Sequence, residues 1–354
     1  MAPTARIMAG GTGGHIFPGL AVAEGLRQRG WRVHWLGAPA PSLESQWVPG
    51  RGFDLHTVEF SGLRGKGWRT ALQLPLRLWR AFAQSRRILQ QLRPQVVVGL
   101  GGYISFPGGC MARWLGIPLV LHEQNSIAGM ANRWLARIAQ RVLCAFPQAL
   151  PGAQWVGNPL REAFLQQDAP EARFVGRSGP LRVLVVGGSL GAQALNQIVP
   201  QALALIEPAQ RPQVVHQSGA KQIDDLREHY HKAGVHAELT PFIDDTAQAF
   251  ARADLVICRA GASTVTELAA VGAAAILVPF PHAVDDHQTH NARFLSDRDA
   301  AWWWPQSQLT PQALAERLRQ LDRAELLRVA RNAHACRQTD AVAQMIQACD
   351  EVVT

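Results

Sequence analysis

Short runs of Val, Ile and Leu recur along the chain, each bounded by glycine or proline and followed by a longer stretch with helical spacing of its apolar residues. In the first half they are "RIMA" (6–9), "WRVHWLG" (31–37), "PQVVVGLGG" (94–102), "IPLVLHEQ" (117–124) and "RVLCAF" (141–146). In the second half they are "RVLVVGGS" (182–189), "PQVVHQSG" (212–219), "LVICRAG" (255–261) and "AAAILVPF" (273–280). Unbroken apolar runs suit strands buried on both faces of a parallel sheet, with the helical stretches as crossovers. The pattern predicts an α/β, doubly wound fold. It also starts twice: residues 6–22 and 181–199 each read strand, glycine loop, helix. Residues 158–180 between them are polar, hold Pro and Gly and lack an apolar run, which places a domain junction there. The predicted division is 1–160, 161–335, and a C-terminal helix at 336–354 that returns to the first domain.

Composition narrows the picture. A chain of 354 residues, 47% of them apolar, can bury more than one core. Its longest apolar stretch, 269–280, falls short of the roughly 18 to 20 residues that span a bilayer. The N-terminal "MAPTARIMAGG" lacks the apolar core of a secretory signal, so a cytoplasmic protein is expected. The five cysteines show neither CxxC pairing nor metal-ligand spacing and read as reduced, buried apolar residues. Charge is the uneven feature. Of 35 basic residues, eight (Arg64, Lys66, Arg69, Arg77, Arg80, Arg86, Arg87, Arg93) lie between Ser61 and Gln95 with no acid among them, and the rest balance the 27 acidic residues. That segment calls for an anionic partner.

Two glycine loops are the first candidate chemistry. "GGTGGH" (10–15) follows the first strand and precedes a helix, where backbone N–H groups and the helix N-terminus can approach an anion. Pro18 fits the first turn of that helix. The loop is neither GxGxxG nor a P-loop, which disfavours NAD and ATP. A tight turn using glycine only for backbone freedom is the plain alternative. His15, at the loop-to-helix edge, fits either a general base or a structural imidazole. "GGSLGA" (187–192) is a second cradle, with the Ser189 hydroxyl beside its backbone donors. After "RAGAST" a helix is expected to start near Thr264, and Thr264 and Glu267 have capping-box spacing. The other reading of Glu267 is a carboxylate accepting from two vicinal ribose hydroxyls.

Taken in order, "GGTGGHIFPGLAVAEGL", "SGLRGKG", "GGYISFPGG", "LHEQNSIAGMANRWLA", "VGNPLRE", "VVGGSLGAQALN", "HQSG", "FIDD", "CRAGASTVTELAAVG" and "VPFPHAVDDHQTHNA" resemble the bacterial MurG family. The resemblance runs from Arg6 to about residue 300 and weakens in the C-terminal helices. It implies the GT-B architecture, two Rossmann-like domains facing across a cleft. It also implies an activity: transfer of N-acetylglucosamine from UDP-N-acetylglucosamine to undecaprenyl-pyrophosphoryl-N-acetylmuramyl-pentapeptide in peptidoglycan synthesis. Carried over by motif, it implies donor contacts from Thr12, Gly13, Gly14, Asn125, Arg161, Ser189, Ile243, Ala262, Ser263, Thr264, Val265, Thr266, Glu267 and Gln288. Two departures stand out: Ser263 occupies a position where leucine is expected, and "FPHAVDDHQ" is one residue longer than the family form.

The implied reaction is inverting. An acceptor hydroxyl attacks the anomeric carbon opposite UDP, so a base must take one proton and the departing diphosphate needs positive partners. His15 is the leading candidate for the base and Glu123 of "HEQN" the second. The lone D-x-D, Asp297 and Asp299, reads as a polar turn before a strand, so transfer is expected to need no metal or other cofactor, with helix N-termini and Arg161 supplying the field. A lipid glycosyltransferase or a UDP-N-acetylglucosamine epimerase of the same architecture is the alternative within enzymes. A nucleic-acid binder is disfavoured because the basic residues are localised, interleaved with Leu and Trp, and accompanied by no RNA- or DNA-binding motif. After Pro75, helical spacing gathers Leu78, Ala81, Phe82, Ile88, Leu89 and Leu92 on one side, and Leu76, Trp79 and Ala83 among Arg80, Arg86 and Arg87 on the other. The second face suits an anionic membrane surface; a charged solvated face is the plain alternative.

Overall fold

The computed structural model describes residues 2–60, 73–188 and 191–353. Ser189 and the basic residues Arg64, Lys66 and Arg69 lie outside the described residues. The chain divides into two compact units, Met1–Arg161 with Gln338–Thr354, and Glu162–Arg337.

In the first unit the described strands are β1 (Thr4–Met8), β2 (Arg32–Gly37), β3 (Asp54–Thr57), β4 (Val96–Gly99), β5 (Leu119–Glu123), β6 (Arg141–Cys144) and β7 (Gln154–Trp155). They form one parallel sheet in the order β3-β2-β1-β4-β5-β6-β7. The unbroken apolar runs have a direct cause here: Ala5 and Ile7 of β1 face one layer, Arg6 and Met8 the other, and all four are fully buried. On the first side lie helices Gly13–Gln28 and Ala341–Val353 with Ile16, Leu20, Met345 and Ile346. On the second lie helices Leu74–Leu92 and Ser105–Trp114 with Ala81, Leu89 and Ala112. Gly25 is the point where the first pair of helices touches: a Cβ there would come within 2.8 Å of Val342 and Ile346.

The second unit repeats the scheme with β8 (Arg182–Val186), β9 (Gln213–Gln217), β10 (Glu238–Thr240), β11 (Leu255–Cys258), β12 (Ala275–Leu277) and β13 (Trp302–Trp303). These are parallel, in the order β10-β9-β8-β11-β12-β13. Val183, Val185 and Ile257 pack against Leu195, Val199 and Leu203 of helix Gln193–Ala204 and Leu314 of helix Pro311–Gln320. Buried Asp254, just ahead of β11, accepts from Arg177 at 2.6 Å, Arg323 at 3.0 Å and the Arg182 amide at 2.9 Å, tying the unit's first segment and a late helix to the sheet.

Both sheets are doubly wound, with the order reversing between β1 and β4 in one and between β8 and β11 in the other. One local expectation fails. Pro18 does not stand in the first turn, because the helix already begins at Gly13 and carries Pro18 in its interior. Its missing N–H withdraws the helical donor from the Gly14 carbonyl, at the end of the helix nearest the glycine loop. Among the described residues no helix is long and apolar enough to cross a membrane.

Candidate active site

In the first unit the crevice at the switch point is formed by the segments leaving β1 and β4. Thr12 is the N-cap of helix Gly13–Gln28, in extended backbone, and its carbonyl accepts from the amides of His15 at 3.1 Å and Ile16 at 3.2 Å. The amides of Gly13 and Gly14 therefore begin the helix with no acceptor inside it, at the positive end of the dipole. Gly102 holds the opposing loop close: its φ is +81, and a Cβ would collide with the Gly10 carbonyl. Ser105 Oγ fastens both segments through the carbonyls of Met8 (3.1 Å) and Gly101 (2.7 Å). On the outer side buried Glu44 accepts from the amides of Gly11 (3.2 Å) and Ala38 (3.4 Å).

His15 projects from the first turn towards the end of β5, where its Nδ1 lies 2.9 Å from Gln124 Oε1. Gln124 Nε2 in turn lies 3.1 Å from His122 Nδ1 and 3.2 Å from the His122 carbonyl, and His122 Nε2 lies 2.9 Å from the Gly157 carbonyl. Burial pushes the His122 pKa down to about 4, so that ring is neutral. Glu123 points the other way and is also buried. One oxygen accepts from the Asn125 amide (2.8 Å) and Asn125 Nδ2 (3.4 Å), the other from the Gly129 amide (3.2 Å) and Asn132 Nδ2 (2.9 Å). The carboxylate thus shapes the loop that presents Asn125. Arg161, at the end of this unit, is exposed, with its guanidinium carbon 5.8 Å from the Phe17 ring centre.

In the second unit Gln217, at the end of β9, brackets the loop after β8. Its Oε1 accepts from the Gly188 amide at 3.0 Å, and its Nε2 donates to the carbonyls of Gly188 (3.1 Å) and Pro241 (3.0 Å). Behind it Asn196, His216 and Tyr230 form a buried hydrogen-bonded row. The helix after β11 begins at Ala262, with Gly261 as N-cap and no side-chain cap, three residues earlier than the capping-box spacing suggests. Thr264 and Glu267 therefore both lie inside the helix, and the expected box does not form. Ala262, Val265 and Thr266 are buried, with Thr266 Oγ1 donating back to the carbonyls of Ala262 and Ser263, each at 3.0 Å. Ser263, where leucine was expected, leaves its hydroxyl buried with no hydrogen-bond partner. Ile243 is half-buried, and its carbonyl accepts from Thr246 Oγ1 at 3.4 Å. Gln288 Oε1 accepts from the Phe280 amide at 2.9 Å, fixing the longer loop between them. Asp297 and Asp299 lie in the turn after helix His287–Ser296.

The basic helix Leu74–Leu92 buries Ala81, Ser85 and Leu89 and turns Leu76 (51% exposed), Trp79 (67%), Arg80, Arg86 and Arg87 outwards. Arg86 lies 4.4 Å over the ring of Trp114, itself 60% exposed, so the apolar and basic surface continues onto the next helix.

Sequence reasoning singled out neither Gln124, His122, Glu44 nor Gln217. The first two stand within "LHEQN" and Gln217 within "HQSG", so motif membership was a usable signal; Glu44 lies in a polar stretch that carries none.

Two parallel doubly wound units with a glycine cradle at each switch point match a sugar-transferring class. The model of the glycosyltransferase family 28 N-terminal domain matches residues 6–144, and that of the family's C-terminal domain residues 182–347. Within that class the chain belongs to the MurG family. It is 62% identical, over 99% of its own length and 92% of the relative's, to a protein of a Polaromonas species named UDP-N-acetylglucosamine–N-acetylmuramyl-(pentapeptide) pyrophosphoryl-undecaprenol N-acetylglucosamine transferase. A protein of the same name from Polaromonas naphthalenivorans is also 62% identical, with 98% of each chain covered. Among solved structures, Acinetobacter baumannii MurG is similar at 38% identity and a TM-score of 0.86, covering 99% of both chains.

Proposed function

We propose that this protein moves N-acetylglucosamine from UDP-N-acetylglucosamine to the 4-hydroxyl of undecaprenyl-pyrophosphoryl-N-acetylmuramyl-pentapeptide, inverting the anomeric carbon. The observation that carries the reading is near-full-length identity of 62% to relatives bearing that transferase name. The first unit's geometry supports it with a histidine held at the mouth of an anion-receptive glycine loop.

In this reading His15 takes the proton of the attacking hydroxyl. As the oxygen–carbon bond forms, the bond to UDP breaks, and charge grows on the diphosphate. Backbone N–H groups at helix N-termini (Gly13 and Gly14, and the start of helix Ala262–Val271) together with Arg161 meet that charge. Thr12, Asn125, Ile243, Gln288 and residues 262–266 line the donor, and Glu267 accepts from its ribose hydroxyls. Glu123 serves the loop rather than the proton: four N–H groups occupy its carboxylate. The enzyme works at the cytoplasmic face of the cell membrane, where Leu76 and Trp79 enter the headgroup region and Arg80, Arg86 and Arg87 meet anionic lipid. Such docking brings the site to an acceptor whose lipid tail stays in the bilayer.

The test is UDP release from UDP-N-acetylglucosamine with and without the lipid-linked acceptor. Release that depends on the acceptor is expected. Conversion of the donor in its absence would favour the epimerase reading instead.

A further inference from the structure

Three groups, His122 in β5, Gln124 just after it and the Gly157 carbonyl after β7, determine which nitrogen of His15 carries its proton. The Gly157 carbonyl can only accept, so the His122 Nε2 beside it, at 2.9 Å, is the protonated nitrogen. His122 is fully buried and its ring neutral, which leaves Nδ1 a bare acceptor. Gln124 must then turn its NH2 towards His122, where it meets Nδ1 at 3.1 Å and the carbonyl at 3.2 Å. The reversed amide would set its oxygen against two acceptors. With the NH2 so engaged, the amide oxygen faces His15, and the His15 Nδ1 at 2.9 Å has to be the donor.

We propose that Gln124 and His122 are positioning residues that lock His15 as the Nδ1–H tautomer, so that Nε2 presents the lone pair that takes the acceptor's proton. The proposal rests on His15 being the base. It gives "HEQN" a second task beside shaping the loop: alternate residues serve alternate ends, with Glu123 organising the loop and the flanking His122 and Gln124 organising the base. When Nε2 gains the proton, the ring donates from both nitrogens, and the Gln124 oxygen already accepts from Nδ1. The ring therefore need not turn between its two states, and no charged partner is required to hold it.

The experiment is 15N NMR of the histidine-labelled protein at a pH where His15 is neutral, its signals assigned by their loss in His15→Asn. Protonation of His15 on Nδ1 and of His122 on Nε2 is expected. In Gln124→Met, close in shape but without the amide, His15 should lose the Nδ1–H signature and kcat should fall roughly 10- to 100-fold, with KM for UDP-N-acetylglucosamine nearly unchanged. Wild-type His15 protonated on Nε2 overturns the proposal, even if Gln124→Met does not fold. A folded Gln124→Met protein that shifts tautomer yet keeps its kcat overturns the positioning role and leaves the base reading standing. His15→Ala with unchanged kcat removes the base reading, and with it the proposal.

Discussion

At the scale of single residues the structure separates two groups that the sequence offered for one task. His15 meets Gln124 at the mouth of the glycine loop, whereas Glu123 is buried beneath the next loop among four donors. Their alanine variants should therefore fail differently. His15→Ala should fold normally and lose kcat by roughly 10²-fold or more, the range for a general base. Glu123→Ala should leave buried N–H groups without an acceptor and lose about 3 kcal/mol of stability in a urea titration. A stable Glu123→Ala protein with the larger loss of kcat would exchange the two roles. None of this could be read from composition or spacing, because His15 and Gln124 stand 109 residues apart and meet only once β1 and β5 lie in one sheet.

Among the elements, the strands written as apolar runs were legible and the edges were not. β3, β7 and β10 are short, partly or wholly exposed and carry Asp54, Gln154 and Glu238, so no continuous run announces them. Helix starts were misjudged where backbone rather than side chain sets them. Gly261 opens its helix without a side-chain cap, and the Thr264–Glu267 spacing inside that helix imitates a signal that has no role there. The consequence is a sharper prediction for Glu267→Ala. Alanine favours a helix interior, so stability should stay within about 0.5 kcal/mol. Donor affinity should drop by at least about tenfold through loss of hydrogen bonds to a charged group. Unchanged affinity in a binding titration would remove Glu267 from the ribose. Helix Leu74–Leu92 makes its own prediction, since its solvent face holds Leu76 and Trp79 among arginines. Wild type should co-sediment with anionic vesicles and lose that binding as salt rises. A Leu76→Ser, Trp79→Ser, Arg80→Gln, Arg86→Gln variant should bind far more weakly. Equal binding by both would put the membrane contact elsewhere.

On the scale of the whole molecule, each unit keeps one buried neutral histidine behind its glycine cradle. Burial holds His122 at about 4 and His216 at about 3, against an ordinary value of 6.5. The unfolded chain therefore takes up protons first as the pH falls. Stability from these two groups is complete above about pH 6.5 and drains away towards pH 4 and below. Denaturant midpoints should fall across that window, and less steeply in a His122→Gln variant; a flat profile in wild type would contradict the burial argument. Whether this family 28 member extends a lipid-linked muramyl sugar is decided by following labelled N-acetylglucosamine from UDP-N-acetylglucosamine into extracted lipid. Label is expected in the lipid fraction only when undecaprenyl-pyrophosphoryl-N-acetylmuramyl-pentapeptide is supplied, joined through a β-linkage to the muramyl 4-hydroxyl. Label that stays with the nucleotide, or that reaches lipid lacking the muramyl sugar, would contradict that activity.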